Sequence, residues 1–149
     1  MFKIISSVFG IGYLKGGGTV VAVACCLGLY LARAGGVAPL PGPAVLLTAG
    51  LLAVGTLAAQ RVEAAWGKDS SRVVIDEVAG MWISLLFVPV TGTRLLVGLV
   101  LFRFFDIVKP LFIRNMERLP GGIGVMMDDV LAGIYCNILL QVGVQLRFF

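Results

Sequence analysis

The chain has 149 residues, 59% hydrophobic and only 13% charged, with a formal net charge of +4 and a mean hydropathy of +1.02. An ordinary soluble domain, with about 25% charged residues, is excluded. The length allows one helical unit of several spans, each needing roughly 20 apolar residues to cross about 30 Å of hydrocarbon, so an all-α integral membrane bundle is predicted, a single transmembrane domain over residues 1–149.

In chain order, residues 2–9, FKIISSVF, predict a short interfacial helix with its apolar side on the lipid. Residues 10–19, GIGYLKGGGT, form a glycine-rich turn. Such a turn can present backbone N–H groups and Lys15 to a phosphate, but a flexible entry into the membrane is the better explanation, and the Gly-Lys-Ser/Thr of a Walker A loop is missing. Apolar runs then predict five transmembrane spans, at about 19–34, 43–60, 74–89, 93–108 and 129–146. Gly35-Gly36 and the cluster Pro39-Leu40-Pro41-Gly42-Pro43 separate the first two, and Pro89 with Thr91-Gly92-Thr93 turns the third into the fourth. Spans three and four, about 16 residues or ~24 Å each, place their charged ends at headgroup depth. Cys25, Cys26 and Cys136 fall inside spans and read as small apolar fillers. Ala22-Val23-Ala24-Cys25 is similar to a lipoprotein cleavage site, but Lys15 and three glycines interrupt the apolar core such a signal needs.

Five spans put the termini on opposite faces. Threaded alternately, nine of the twelve basic residues fall on the face of the N-terminus, and Arg33, Arg94 and Arg147 on the other. The positive-inside rule then makes the N-terminal face cytoplasmic. All eight acids, Glu63, Asp69, Asp76, Glu77, Asp106, Glu117, Asp128 and Asp129, fall on that same face. The rule does not cover carboxylates, so their one-sided clustering calls for chemistry.

Asp76 and Glu77 occupy the first turn of span three, where the helix dipole favours an acid; capping explains one of them but not both. Gly80, four residues on, opens space beside Asp76 for a ligand or another helix. Arg103 and Asp106 lie one turn apart at the cytoplasmic end of span four, with Lys109 just before Pro110, as an ion pair and a snorkelling lysine or as a phosphate site. Asp128 or Asp129 serves as N-cap of span five; only one can, and the other is an acid at the low-dielectric boundary, costly unless a cation binds. Oxygen ligands in a chain without histidine suit a hard cation such as Mg²⁺, and the neighbouring bases suit a phosphate bridged by it. A phospholipid-phosphate enzyme is the expectation.

The runs GKDSSRVVIDEVAGMW at 67–82, FRFFDIVKP at 102–110 and GGIGVMMDDVLAG at 121–133, in that order, closely resemble the phosphatidylglycerophosphatase A family of bacterial membrane phosphatases. The likeness spans roughly residues 10–140. It implies Mg²⁺-dependent hydrolysis of phosphatidylglycerophosphate to phosphatidylglycerol and phosphate, in a multi-pass protein of the bacterial cytoplasmic (inner) membrane with its N-terminus and active site on the cytoplasmic side. The family's acidic positions correspond to Asp76, Glu77, Asp106, Asp128 and Asp129, and Lys109 and the Gly121-Gly122-x-Gly124 loop also match. The N-terminal block departs from the family's Pro-containing stretch: this chain has Gly16-Gly17-Gly18-Thr19 followed by Val20-Val21.

The inventory narrows the mechanism. There is no histidine to act as nucleophile or base, and no cysteine is followed six positions later by arginine. Metal and carboxylates remain. The expected metal ligands are Asp76, Glu77, Asp106 and Asp128; the expected catalytic acids are Asp129, as water-orienting base, Asp128 and Asp106; and Lys109, Arg103, Gly121, Gly122 and Gly124 are expected to bind substrate. An aspartyl-phosphate intermediate is the alternative to direct attack by water. The expected partners are membrane lipid and the phospholipid substrate, with no nucleic acid, and the pattern sets no oligomeric state. Against a CDP-alcohol phosphotransferase stands the lack of any Asp-Gly dipeptide. A cation transporter or channel would place its acids near the bilayer midplane rather than at one end, and a non-catalytic assembly subunit would tolerate charge-neutral substitutions.

Overall fold

The computed structural model describes residues 1–37, 40–68 and 70–148. Its helices are α1 (Phe2–Ser6), α2 (Gly17–Ala34), α3 (Pro41–Trp66), α4 (Ile75–Ser84), α5 (Gly92–Val108), α6 (Ile113–Met116) and α7 (Gly121–Gln145), with a 3₁₀ turn at Ile11–Tyr13. No strand occurs among the described residues. Pro39 of the expected first break and the carboxylate Asp69 lie outside them.

Three helices, α2, α3 and α7, are long and apolar enough to cross a membrane. The 17 residues of α5 match the expected fourth span and reach ~25 Å. A helical membrane bundle is thus observed, with three corrections to its parts. First, Pro41 and Pro43 do not merely break the chain but open α3; a proline in the first turn lacks only an N–H that has no partner there anyway. The helix then runs past Gln60 to Trp66 and stops at Gly67, whose φ of 86° suits glycine.

The second correction concerns the third expected span. As helix it lasts ten residues, ~15 Å, too short to cross the hydrocarbon alone. Residues 85–91 complete the distance without regular structure, with Phe87 at a φ of 61° and Pro89 unable to donate. Such backbone survives at membrane depth only where its polar groups find partners. Asn137 of α7 supplies them: its Nδ2 donates to the carbonyls of Ser84 at 3.0 Å and Leu86 at 2.9 Å.

Third, α7 begins at Gly121, with Pro120 as its N-cap, eight residues before the expected start. Neither Asp128 nor Asp129 caps a helix; both lie two turns inside one. The glycines that read as a loop are packing positions: a Cβ on Gly122 would stand 2.7 Å from the Gln60 amide nitrogen of α3, and one on Gly124 would collide with the Leu119 carbonyl.

Long helices consecutive in the chain alternate in direction. Arg103 lies beside Glu77 and Gly98 beside Leu85, so α5 runs antiparallel to α4, while α7 runs alongside α4 in the same direction, from Gly80 beside Gly133 to Leu86 beside Asn137. The start of α2, the end of α3, the start of α4, the end of α5 and the first third of α7 therefore share one end of the bundle. Ala22, Met81, Phe102, Ala132, Cys136 and Leu140 form the main core. Between α4 and α7 the backbones touch: a Cβ on Gly133 would lie 2.5 Å from the Gly80 carbonyl oxygen, and one on Gly80 would lie 2.7 Å from that of Asp129. The interfacial α1 is tied to this end by the Val74 N–H, which donates to the Ser6 carbonyl at 2.8 Å.

Candidate active site

The Gly80–Gly133 contact brings the first turn of α4 against α7, and this places three carboxylates together. Ligand oxygens of Asp76, Glu77 and Asp129 lie within 4.8 Å of one another. Asp76 and Asp129 are 9% and 3% exposed, so water screens their repulsion poorly. Asp76 accepts the Glu77 N–H at 3.0 Å, which helps to fix that first turn but leaves the negative charge in place.

Arg103 enters from α5. Its guanidinium pairs with Asp106 at 2.5 Å, one turn on, and stands 4.0 Å from Glu77. Its buried Nε and the buried Oε2 of Glu77 have no hydrogen-bond partner among the described residues. Buried polar atoms are normally paired, so an unpaired donor and an unpaired acceptor side by side mark a place for something else. All-oxygen donors at this spacing fit a hard divalent cation, and the spare guanidinium N–H fits an anionic oxygen. Gly18, at the start of α2, closes the pocket: Glu77 lies so near it that a Cβ would overlap the carboxylate.

A second cluster adjoins the first. Lys109 ends α5 in a left-handed conformation, φ 48°. Its Nζ lies 2.6 Å from Asp128 Oδ2 and 2.7 Å from Glu117 Oε1. Burial alone would lower the Lys109 pKa, but the hydrogen bonds to Asp128 and Glu117 outweigh it, and the pKa is raised.

The structure therefore gathers Asp76, Glu77 and Asp129, sets Arg103 and Asp106 beside them, and gives Asp128 to Lys109. Gly121 and Gly122 face α3, while Gly124 packs on the Leu119 carbonyl and lines a small pocket with Lys68, Glu117 and Asp128. Three participants escaped the sequence reading. Glu117 clamps Lys109, Gly18 meets Glu77, and Asn137 holds the end of α4. Glu117 carried a signal as one of the one-sided acids, and Asn137 as the one strongly polar side chain within the apolar run 130–140.

A helical membrane bundle that collects carboxylates and cations at one end has the groups that a membrane-embedded enzyme acting on phosphate needs. A family model described as phosphatidylglycerophosphatase A matches residues 4–144, and the chain belongs to this family of phosphatases. It is similar to a Bacteroides thetaiotaomicron protein provisionally named a phosphatidylinositol-3-phosphatase, 50% identical over 112 residues covering 70% of each chain. It is also similar to the phosphatidylglycerophosphatase A of Haemophilus influenzae, 39% identical over 64% of this chain and 61% of that one, and of Escherichia coli, 41% identical over 44% and 40%. The chain thus aligns to less than two thirds of the length of those two relatives. No solved structure matches it.

Proposed function

We propose that the protein hydrolyses the phosphomonoester of phosphatidylglycerophosphate, releasing phosphatidylglycerol and inorganic phosphate at the inner face of a bacterial cytoplasmic membrane. The observation that carries this reading is the convergence of Asp76, Glu77 and Asp129 within 4.8 Å beside an arginine with a spare donor, in a chain of this family. The excess of basic residues at the same end supports a cytoplasmic site.

Asp76, Glu77 and Asp129 would hold Mg²⁺, which when bound supplies positive charge to the phosphoryl oxygens. Arg103, anchored by Asp106, donates to a phosphoryl oxygen and keeps the group facing α4. Asp106 accepts a proton from the attacking water, its carboxylate oriented by the guanidinium, and the departing glycerol oxygen takes its proton from water at the headgroup boundary. Asp128 acts one step away, holding Lys109 so that its ammonium faces the headgroup. This proposal moves Asp129 from base to ligand and makes Asp128 a positioning residue. Phosphate release from phosphatidylglycerophosphate by purified protein, with Mg²⁺ and with a chelator, tests it: release that survives chelation sinks the metal role, and no release sinks the activity.

The name of the Bacteroides relative favours a second reading, in which the phosphate is on position 3 of phosphatidylinositol. Both lipids carry a phosphomonoester on a polyol headgroup. Assaying them side by side decides between them by the ratio of kcat/KM.

A further inference from the structure

Outside the acid clusters, an apolar groove of about 180 Å³ opens between α5 and α7, lined by Phe105, Leu111, Tyr135, Ile138 and Leu139. Its position follows from the helices. Phe105 immediately precedes Asp106, and Leu111 lies two residues beyond Lys109. Tyr135 is seven residues past Asp128, two turns along the same face. The tilted rings of Phe105 and Tyr135, 5.8 Å between centroids, form its floor, while Leu111, Ile138 and Leu139 stand exposed along its edges.

We infer that this groove seats one acyl chain of the lipid whose phosphate is handled at the acid cluster. The inference rests on the phosphatase reading above and adds where the hydrophobic part of the substrate goes. Three features support it. The groove begins next to the phosphate site, since Phe105 in its wall immediately precedes Asp106, which holds the Arg103 guanidinium. From Asp128 to Leu139 the helix descends ~16 Å, about half of the ~30 Å hydrocarbon thickness, which is the depth of one leaflet. The groove also lies on the same α7 face as Asp128, so a lipid can keep its phosphate at headgroup depth and its chain along the bilayer normal. A second groove of about 290 Å³, between α2 and α5 around Tyr30, Gly92 and Leu96, lies at the opposite end of α5 and shares none of these relations.

The test compares Ile138→Trp and Leu139→Trp, which fill the groove from its lipid-facing edge, with Leu96→Trp in the distant groove. Each is assayed on long-chain phosphatidylglycerophosphate and on its water-soluble deacylated headgroup phosphate. The groove variants are expected to raise KM for the long-chain substrate roughly 10-fold or more, with deacylated substrate turned over as by wild type and Leu96→Trp unchanged on both. An unchanged long-chain KM, or equal losses on the two substrates, overturns the inference. An arm independent of turnover uses phosphatidic acid with a photoreactive group in its acyl chain, in phosphatidylcholine vesicles. Labelling should concentrate on α5 and α7 at this groove and be displaced by unlabelled phosphatidic acid but not by more phosphatidylcholine; labelling spread evenly around the bundle overturns it. If wild type releases no phosphate from either substrate the activity fails, and competed labelling still identifies a lipid seat.

Discussion

Asp128 and Asp129 are consecutive, yet they belong to two charged regions that work in opposite ways. Around Lys109, one ammonium stands within 2.7 Å of two carboxylates, and each charge has a partner within the protein. Around Asp76, Glu77, Asp129 and Asp106, four carboxylates share one guanidinium, which is already committed to Asp106. The first region gives every charge a partner, with one cation held between two acids, and the second is shorter still, with one cation for four. Because consecutive residues on a helix point about 100° apart, adjacency in the sequence separates these two acids rather than pairing them. The lesson is that a cluster of acids has to be read by which of them the protein has already neutralised.

The largest effect that can break this contrast is expected from Asp129→Asn. Removing a charge that positions the reacting groups should lower phosphate release by roughly 10²- to 10⁴-fold. It should also abolish any rise in thermal midpoint on adding Mg²⁺, since ligand binding to the folded state alone stabilises it. Asp128→Asn should keep the Mg²⁺-induced rise. Equal loss of that rise in both variants would show that the two regions form one metal site.

Lys109→Met probes the other side. Breaking a buried pair leaves a charge uncompensated, at roughly 3 kcal/mol, and the midpoint should fall accordingly. Adding Asp128→Asn should recover much of the loss; no recovery would mean that the pair is not what Lys109 stabilises. The pH dependence has a definite sign. With its folded pKa raised, the Lys109 contribution is fully present below its unfolded pKa of about 10.4 and is lost only as pH rises through the folded value. The gap between wild type and Lys109→Met should therefore stay constant from about pH 7 to 9.

A smaller effect is expected from Asn137→Leu, which strips the Ser84 carbonyl of its donor and leaves that of Leu86 only the Gln141 Nε2 at 3.5 Å. Roughly 1–3 kcal/mol follows from leaving a buried carbonyl unsatisfied, and because α4 carries Asp76 and Glu77, apparent Mg²⁺ affinity should weaken too. A lower midpoint with unchanged Mg²⁺ affinity would confine Asn137 to stability. The smallest belongs to Thr91→Ala at the far end, where the hydroxyl caps α5 by accepting the Arg94 N–H at 3.3 Å. About 1 kcal/mol of stability should go, with KM and kcat untouched.

Much of the bundle was legible because turn residues bracket its apolar runs. The fourth span was expected at 93–108 and observed at Gly92–Val108, with Thr91 as the visible cap. The one-sided acids were legible too, since only charge and alternation were needed. The break after Ser84 was not, because Leu85-Leu86-Phe87-Val88 reads alike as helix or as irregular backbone; what decides is Asn137, about fifty residues away. The start of α7 was hidden by low-propensity glycines that serve contacts with α3. Starting that helix at Gly121 would have put Asp128 and Asp129 on different faces at once. The Lys109–Glu117 clamp depends on how residues 110–120 fold back, which no local pattern encodes.

The shortened α4 bears on how the protein is made. Ten helical residues are too few to be retained by the bilayer as an independent span, and the carbonyls where they end need Asn137, which leaves the ribosome about fifty residues later. Until α7 arrives, the segment carrying Asp76 and Glu77 has neither its Gly133 contact nor its hydrogen-bond donor, and Asp129 has not been joined to the pair. The order of synthesis thus delays assembly of the acid cluster until α7 has been inserted, and a nascent chain lodged in the membrane without α7 holds only part of a site.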